Sequence, residues 1–235
     1  MSLTVALFCP KVEGLKGRLN VPCAHCLAIE GTFGDQIAEQ RLERMREEKI
    51  EPTTAWLVEC FEEQGVRGRS VMDIGGGVGD IAMRLLQSGA RSADLVEASS
   101  AFLRAARGAA AECGLQDLMA WHHGDFVELE PDLEAADVVC LDRVVCCYPN
   151  MPSLVSLSSA KANRLYGLVF PRRTWWTRLG AWAINAGLRL RRSAFRVFVH
   201  SPTAIERIVA SQGMETIFRR QTAVWQAVVF RRVGT

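Results

Sequence analysis

The chain has 235 residues, 49% of them hydrophobic, and 28 Lys+Arg against 26 Asp+Glu give a formal net charge of +2. That length accommodates one full α/β domain with an appendage and supplies an ample core. No run reaches the roughly eighteen apolar residues of a membrane-spanning helix. Met1–Pro10 has an apolar patch but neither a basic region before it nor a cleavage site, so no signal peptide is read and a cytoplasmic protein is expected.

The small net charge hides a split. Met1 to Asp142 carries 13 Lys+Arg against 24 Asp+Glu, whereas Arg143 to Thr235 carries 15 Lys+Arg against two acids, Glu206 and Glu215. Such asymmetry points to an anionic partner on the basic half, unless the two halves neutralise each other within one domain. Eight cysteines in a cytoplasmic chain are expected as thiols or metal ligands. Cys60, Cys113, Cys140, Cys146 and Cys147 read as small core hydrophobes.

Residues 1–50 form the appendage. Cys23 and Cys26 make one C-x-x-C, with Cys9 and His25 nearby. A structural zinc site usually has a second pair, so no metal is expected. Ile37–Lys49 is charged and periodic and reads as a surface helix. Pro52–Phe61 reads as a helix starting at Pro52 or Thr53, with Trp56, Leu57, Cys60 and Phe61 on its apolar face.

Val71–Ile74 reads as a buried strand, Gly75, Gly77 and Gly79 as a loop of alternating glycines, and Asp80–Gln87 as the following helix. Strand, glycine loop and helix form the first unit of a doubly wound nucleotide site. A dinucleotide fingerprint requires a third glycine where Asp80 stands, and a carboxylate there would meet a pyrophosphate badly. Ala93–Ala98 is the second strand, Ser99–Cys113 a helix capped by Ser99 or Ser100, and Leu118–Phe126 the third strand and its exit. His122 and His123 read as strand residues, one in and one out. Ala136–Arg143 is the fourth strand, Cys146–Asn150 a loop, Met151–Leu165 a helix and Tyr166–Phe170 the fifth strand.

Trp175–Arg192 has Trp175, Leu179, Trp182 and Ala186 at helical spacing, with Arg178, Asn185 and Arg189 on another side. The simplest expectation is a helix packed on the domain. The same composition suits a membrane interface or an apolar anionic ligand. Pro202–Gly213 reads as a helix. Glu215–Arg220 and Val224–Arg231 read as a final antiparallel pair.

The spacing G-x-G-x-G at Gly75, Gly77 and Gly79, with Asp73 two residues before it, resembles motif I of class I S-adenosylmethionine-dependent methyltransferases. The second half looks like magnesium-protoporphyrin O-methyltransferase and related bacterial enzymes. That resemblance lies in Tyr148-Pro149, Leu168–Pro171, Trp175-Trp176, and Arg196 with His200 before a Pro-led helix. Gly75-Gly76-Gly77 departs from the Gly-Cys-Gly more usual in the porphyrin enzymes, and Cys23–Cys26 is not part of their pattern.

The resemblance implies a Rossmann-like α/β fold with a seven-stranded doubly wound sheet and an antiparallel last strand. An N-terminal cap, residues 1–50, would precede a methyltransferase domain, residues 51–235. It implies S-adenosylmethionine as cofactor, held by Asp73, Gly75, Gly77, Gly79, Glu97, Ala98, Asp125, Phe126 and Asp142. Glu97 lies 24 residues beyond Asp73 and would take the ribose hydroxyls. Asp125 would accept from the adenine amine, and Phe126 would flank the ring. His200, Arg196 and Tyr148 would act on the acceptor, with Arg143 and Arg172-Arg173 as further anion holders. The expected partner is a small anionic or aromatic molecule such as a porphyrin-like carboxylate. Peripheral membrane contact through Trp175–Arg192 is left open, and no nucleic acid is expected. A nucleic-acid-directed methyltransferase using the basic half, and a nicotinamide-dependent oxidoreductase, are the alternatives.

Overall fold

The computed structural model describes residues 24–234. Cys9 and Cys23 lie outside these residues, and of His25 and Cys26 only the backbone is described. Seven strands form one sheet in the order β3-β2-β1-β4-β5-β7-β6. The strands β1 (Ser70–Ile74), β2 (Ser92–Glu97), β3 (Met119–His123), β4 (Ala136–Asp142) and β5 (Ala162–Pro171) run parallel. Antiparallel to β5 and to β6 (Met214–Gln221) runs β7 (Trp225–Arg232). All five residues of β1 are buried. A strand covered on both faces carries an unbroken apolar run, so Asp73 is the one charged residue in it.

Helices α1 (Ala24–Thr32) and α2 (Asp35–Arg46) precede the sheet, and α2 packs on α5 (Ser100–Glu112). The sheet face nearest them is covered by α3 (Pro52–Glu63), α4 (Asp80–Gln87) and α5. There Leu57, Phe61, Leu85, Ala106 and Ala110 meet Val71, Leu95 and Val138 in one buried cluster. Pro52 begins α3 where its missing N–H costs nothing, and the Ser99 side chain accepts from Phe102 N–H to cap α5. The opposite face is covered by α6 (Phe126–Leu129), α7 (Met151–Ala160) and α9 (Pro202–Ser211). Leu154, Val155, Ile205 and Val209 there bury Met72, Val139, Leu141 and Phe230. Alternate residues of β1 thus feed alternate cores, as the two-residue strand period dictates.

Three expectations need correction. The helix expected over Met151–Leu165 stops at Ala160, because Ala162 pairs with Ala136 and Leu165 with Val138 and the sheet ladder takes the segment. Helix α8 (Trp175–Leu190) is not packed away: Thr177 is its one fully buried residue, and Trp175, Leu179 and Trp182 are exposed. Cys113 is exposed at the end of α5, unlike Cys60, Cys140 and Cys146, which are buried. The two histidines of β3 do part company, His122 bonding Asp94 at 2.8 Å while His123 is exposed.

Candidate active site

The carboxyl ends of β1 to β4 open on the same edge of the sheet, where ligands bind in doubly wound folds. Gly75, Gly77 and Gly79 hold φ of +64°, +59° and +81°, a region that costs other residues energy. A Cβ on Gly75 would lie 2.5 Å from Val144, and one on Gly76 would lie 2.5 Å from the Asp73 carboxylate. The loop therefore folds down onto Asp73 and leaves its outer surface open. Gly79 is the N-cap of α4, so the loop ends at free helical N–H groups.

Four acids stand at the four strand ends. Asp73 is 1% exposed. Its Oδ1 accepts the Cys140 thiol at 3.4 Å, while its Oδ2 has no hydrogen-bond partner among the described residues. Burial, with the nearby charges of Asp142 and Glu97, pushes its pKa up to about 7. Glu97 is buried, which raises its pKa, and its carboxylate accepts Gly77 N–H at 2.9 Å and Ser99 N–H at 2.8 Å. It thereby ties the glycine loop to β2, with Ala98 half-buried beside it. A carboxylate has about four acceptor positions, so Glu97 keeps acceptor capacity for a ligand hydroxyl.

Asp125 caps α6 by accepting Val127 N–H, and the Tyr148 hydroxyl donates to both of its oxygens at 3.1 and 3.0 Å. Tyr148 therefore braces the loop after β3 instead of standing free toward an acceptor. Phe126 is 4% exposed and packs into the core cluster, not into open space. Asp142 accepts the Thr54 hydroxyl at 2.5 Å and two guanidinium N–H groups of Arg143, both at 3.0 Å. Arg143 holds φ of +61°, a rare conformation for a side chain with a Cβ that marks functional turns.

The 193–200 segment lies across the loop that follows β4. Phe198 N–H donates to Cys146 O at 2.7 Å, and His200 Nε2 lies 3.2 Å from Tyr148 O. Asn185 of α8 fastens the segment by donating to Val197 O at 2.7 Å and accepting Val197 N–H at 2.9 Å. His200 stacks on Phe198, and burial holds its pKa below the ordinary value. Arg196 turns back on its own segment, donating to Ser193 O and Phe195 O. At the N-terminus of α9 and the carboxyl ends of β5 and β6 lies a cavity of about 360 Å³ whose lining includes Arg172, Arg173, Arg219 and Ser201.

Sequence reasoning missed a group of aromatics over the glycine loop. Phe33, between α1 and α2, lies 5.8 Å from Phe102 and 5.4 Å from Phe195, ring centre to ring centre. Ser99 Oγ donates to Phe33 O at 2.6 Å, so this junction sits beside Glu97. Nothing local marks these rings, since they come from three distant segments. Thr54 was also missed, because its partner Asp142 is set by tertiary packing. Among the described residues no cluster of His, Cys, Asp and Glu could hold a metal.

Chemically, a buried orphaned carboxylate oxygen, a second buried carboxylate and a glycine cradle fit a ligand that is uncharged or cationic near β1. A pyrophosphate would meet Asp73 and Glu97 where it needs donors. The methyltransferase-domain family matches residues 71–160. Magnesium protoporphyrin IX methyltransferase from Synechocystis PCC 6803, with bound SAH, superposes with a TM-score of 0.67 at 19% identity, covering 88% of this chain and 99% of that one. An O-methyltransferase family protein from Burkholderia thailandensis gives 0.64 at 15% identity, covering 83% of this chain and 59% of that one. A geranyl diphosphate methyltransferase in complex with SAM gives 0.60 at 14% identity, covering 77% and 85%. No curated protein matches in sequence. The glycine loop and all four strand-end acids, Asp73, Glu97, Asp125 and Asp142, lie inside the region that matches the methyltransferase-domain family, and the sheet has the Rossmann-like fold of the S-adenosylmethionine-dependent methyltransferases it superposes on.

Proposed function

We propose that this enzyme methylates a carboxylate oxygen of a small, anionic, partly aromatic acceptor of porphyrin-like chemistry. The observation that carries the reading is a basic cavity lined by Arg172, Arg173 and Arg219 at the carboxyl ends of β5 and β6, on the same edge of the sheet as the strand-end acids. Acids hold the cationic donor on one side, and arginines receive an anion on the other. The structural neighbour that acts on magnesium protoporphyrin IX supports this acceptor class.

S-adenosylmethionine, when bound, supplies an electrophilic methyl on a sulfonium. Glu97 would hold its ribose hydroxyls, and Asp73 and the glycines Gly75, Gly77 and Gly79 its amino-acid end. Asp125, braced by Tyr148, would meet the adenine, with Ala98 and Phe126 shaping the floor. Asp142 is held beside Arg143, where its charge favours a cationic donor. A carboxylate oxygen needs no base, so the protein's work is alignment and exclusion of water. The Phe33–Phe102–Phe195 group and helices α1 and α2 serve as the cap, residues 1–50 being the cap segment ahead of the catalytic domain. His200, neutral through burial, and Arg196, through the turn it holds, set the acceptor wall.

Calorimetric titration with S-adenosylhomocysteine, with NADH as control, tests the cofactor side. Micromolar binding of the first alone is expected, and Glu97→Gln should weaken it about tenfold or more. Binding of NADH instead would overturn the reading. Transfer of labelled methyl to a porphyrin carboxylate should give a label released as methanol by mild alkali. A base-stable label would exclude the ester.

A further inference from the structure

We propose that helix α8 is a docking face for an anionic membrane surface, on which the enzyme lies with its acceptor side toward the lipid. Trp175 is 72% exposed, Leu179 55%, Trp182 65% and Leu190 88%. These residues recur at helical spacing along one stripe, and large exposed apolar patches mark interaction sites. Arg178 and Arg189, both exposed, flank the stripe, and Arg191 and Arg192 extend it. From Trp175 to Arg192 there is no Asp or Glu.

The helix is firmly mounted. Thr174 and Thr177 form a capping box, Thr177 donates to Arg172 O at 2.6 Å, and Asn185 grips Val197 from both its amide atoms. The stripe is thus presented as a rigid feature and is not waiting for another part of the described chain. At 16 residues, α8 is too short to cross a bilayer, and no described helix is long and apolar enough to do so. Tryptophans and leucines on one face with arginines at its border suit a helix lying in the interface. Charge decides among occupants: a second copy would set Arg178 and Arg189 against their own equivalents, whereas anionic headgroups complement them.

The 193–200 segment that α8 holds carries His200, so a docked helix brings the acceptor wall close to the lipid. An apolar acid dissolved in the leaflet would then reach the site without crossing water. This delivery rests on the acceptor reading above, while the docking does not.

Co-sedimentation with phosphatidylcholine vesicles, with and without phosphatidylglycerol, tests the docking. Binding to the mixed vesicles is expected, with a blue shift of tryptophan emission and little binding to the neutral ones. Trp175→Ala/Trp182→Ala should abolish it. Arg178→Gln and Arg189→Gln should each weaken it about fivefold. S-adenosylhomocysteine titration of the same variants should be unchanged, which separates loss of docking from loss of the fold or of the cofactor site. Wild-type protein that stays in the supernatant with anionic vesicles overturns the proposal. So does a concentration-dependent dimer that the double tryptophan variant converts to monomer.

Discussion

Thr54 on α3 and Asp142 at the end of β4 are 88 positions apart in sequence and share a hydrogen bond of 2.5 Å, with the Arg143 guanidinium bonded to both. The helix that packs the first core thereby also fixes the carboxylate at the fourth strand end.

Thr54→Val keeps the shape of the side chain and removes the hydroxyl. Asp142 then loses its neutral donor and swings with Arg143. A hydrogen bond to a charged group contributes about 1.5–3 kcal/mol, so kcat/KM is expected to fall about tenfold or more. Steady-state kinetics beside a thermal melt check this. A variant with wild-type kinetics would show that Asp142 is held by Arg143 alone.

Asp73 should make stability fall as pH rises. Its folded pKa of about 7 lies above the unfolded value near 3.8, so between these limits the folded state binds the extra proton. Stability is fully retained near pH 4 and is lost progressively up to pH 7. Asp73→Asn removes this penalty, and the variant should gain about 1–3 kcal/mol over wild type at pH 8 and much less at pH 5. The same variant should bind S-adenosylhomocysteine at least tenfold more weakly, because the ammonium of the ligand's amino-acid end favours the ionised carboxylate. Denaturant melts at the two pH values and a calorimetric titration give both quantities. Equal melts across pH would mean that Asp73 stays ionised in the folded protein.

His200 separates the acceptor classes. With a carboxylate acceptor, His200→Gln should raise KM several-fold and leave kcat within about threefold, since no proton is removed. The pH profile of kcat should keep its form. A lost acidic limb in the variant, at a pKa below the ordinary histidine value, would instead mark His200 as the base for a hydroxyl acceptor.

The elements that could be read in advance are those whose signals are local. The Ser99 cap, Pro52 and the Gly75–Gly79 loop each announce a boundary, and α4 runs over the same Asp80–Gln87 that its periodicity predicts. The Ala162–Leu165 strand start could not be read, because neither proline nor glycine divides it from the helix before it and only pairing with β4 decides its state. At the site, Asp73 and Glu97 stood out because charges are rare at buried strand ends. Tyr148 was recognised, but its bond to Asp125 is a tertiary fact. Thr54, Phe33, Phe102 and Phe195 come from segments that meet only when the sheet is assembled.

Helices α1 and α2 join α5 through a small buried seam that includes Ala38 and Leu42 and, at the rim, through polar pairs. Arg104 pairs with Asp35, Arg46 with Glu112, and Ser100 with Glu30, all exposed to water. Such pairs contribute about 0–1 kcal/mol each and weaken further in salt. With α1 and α2 as the proposed cap over the glycine loop, these rim pairs are light latches around the Phe33 ring, and the spent cofactor should leave faster as ionic strength rises even though the core beneath does not soften.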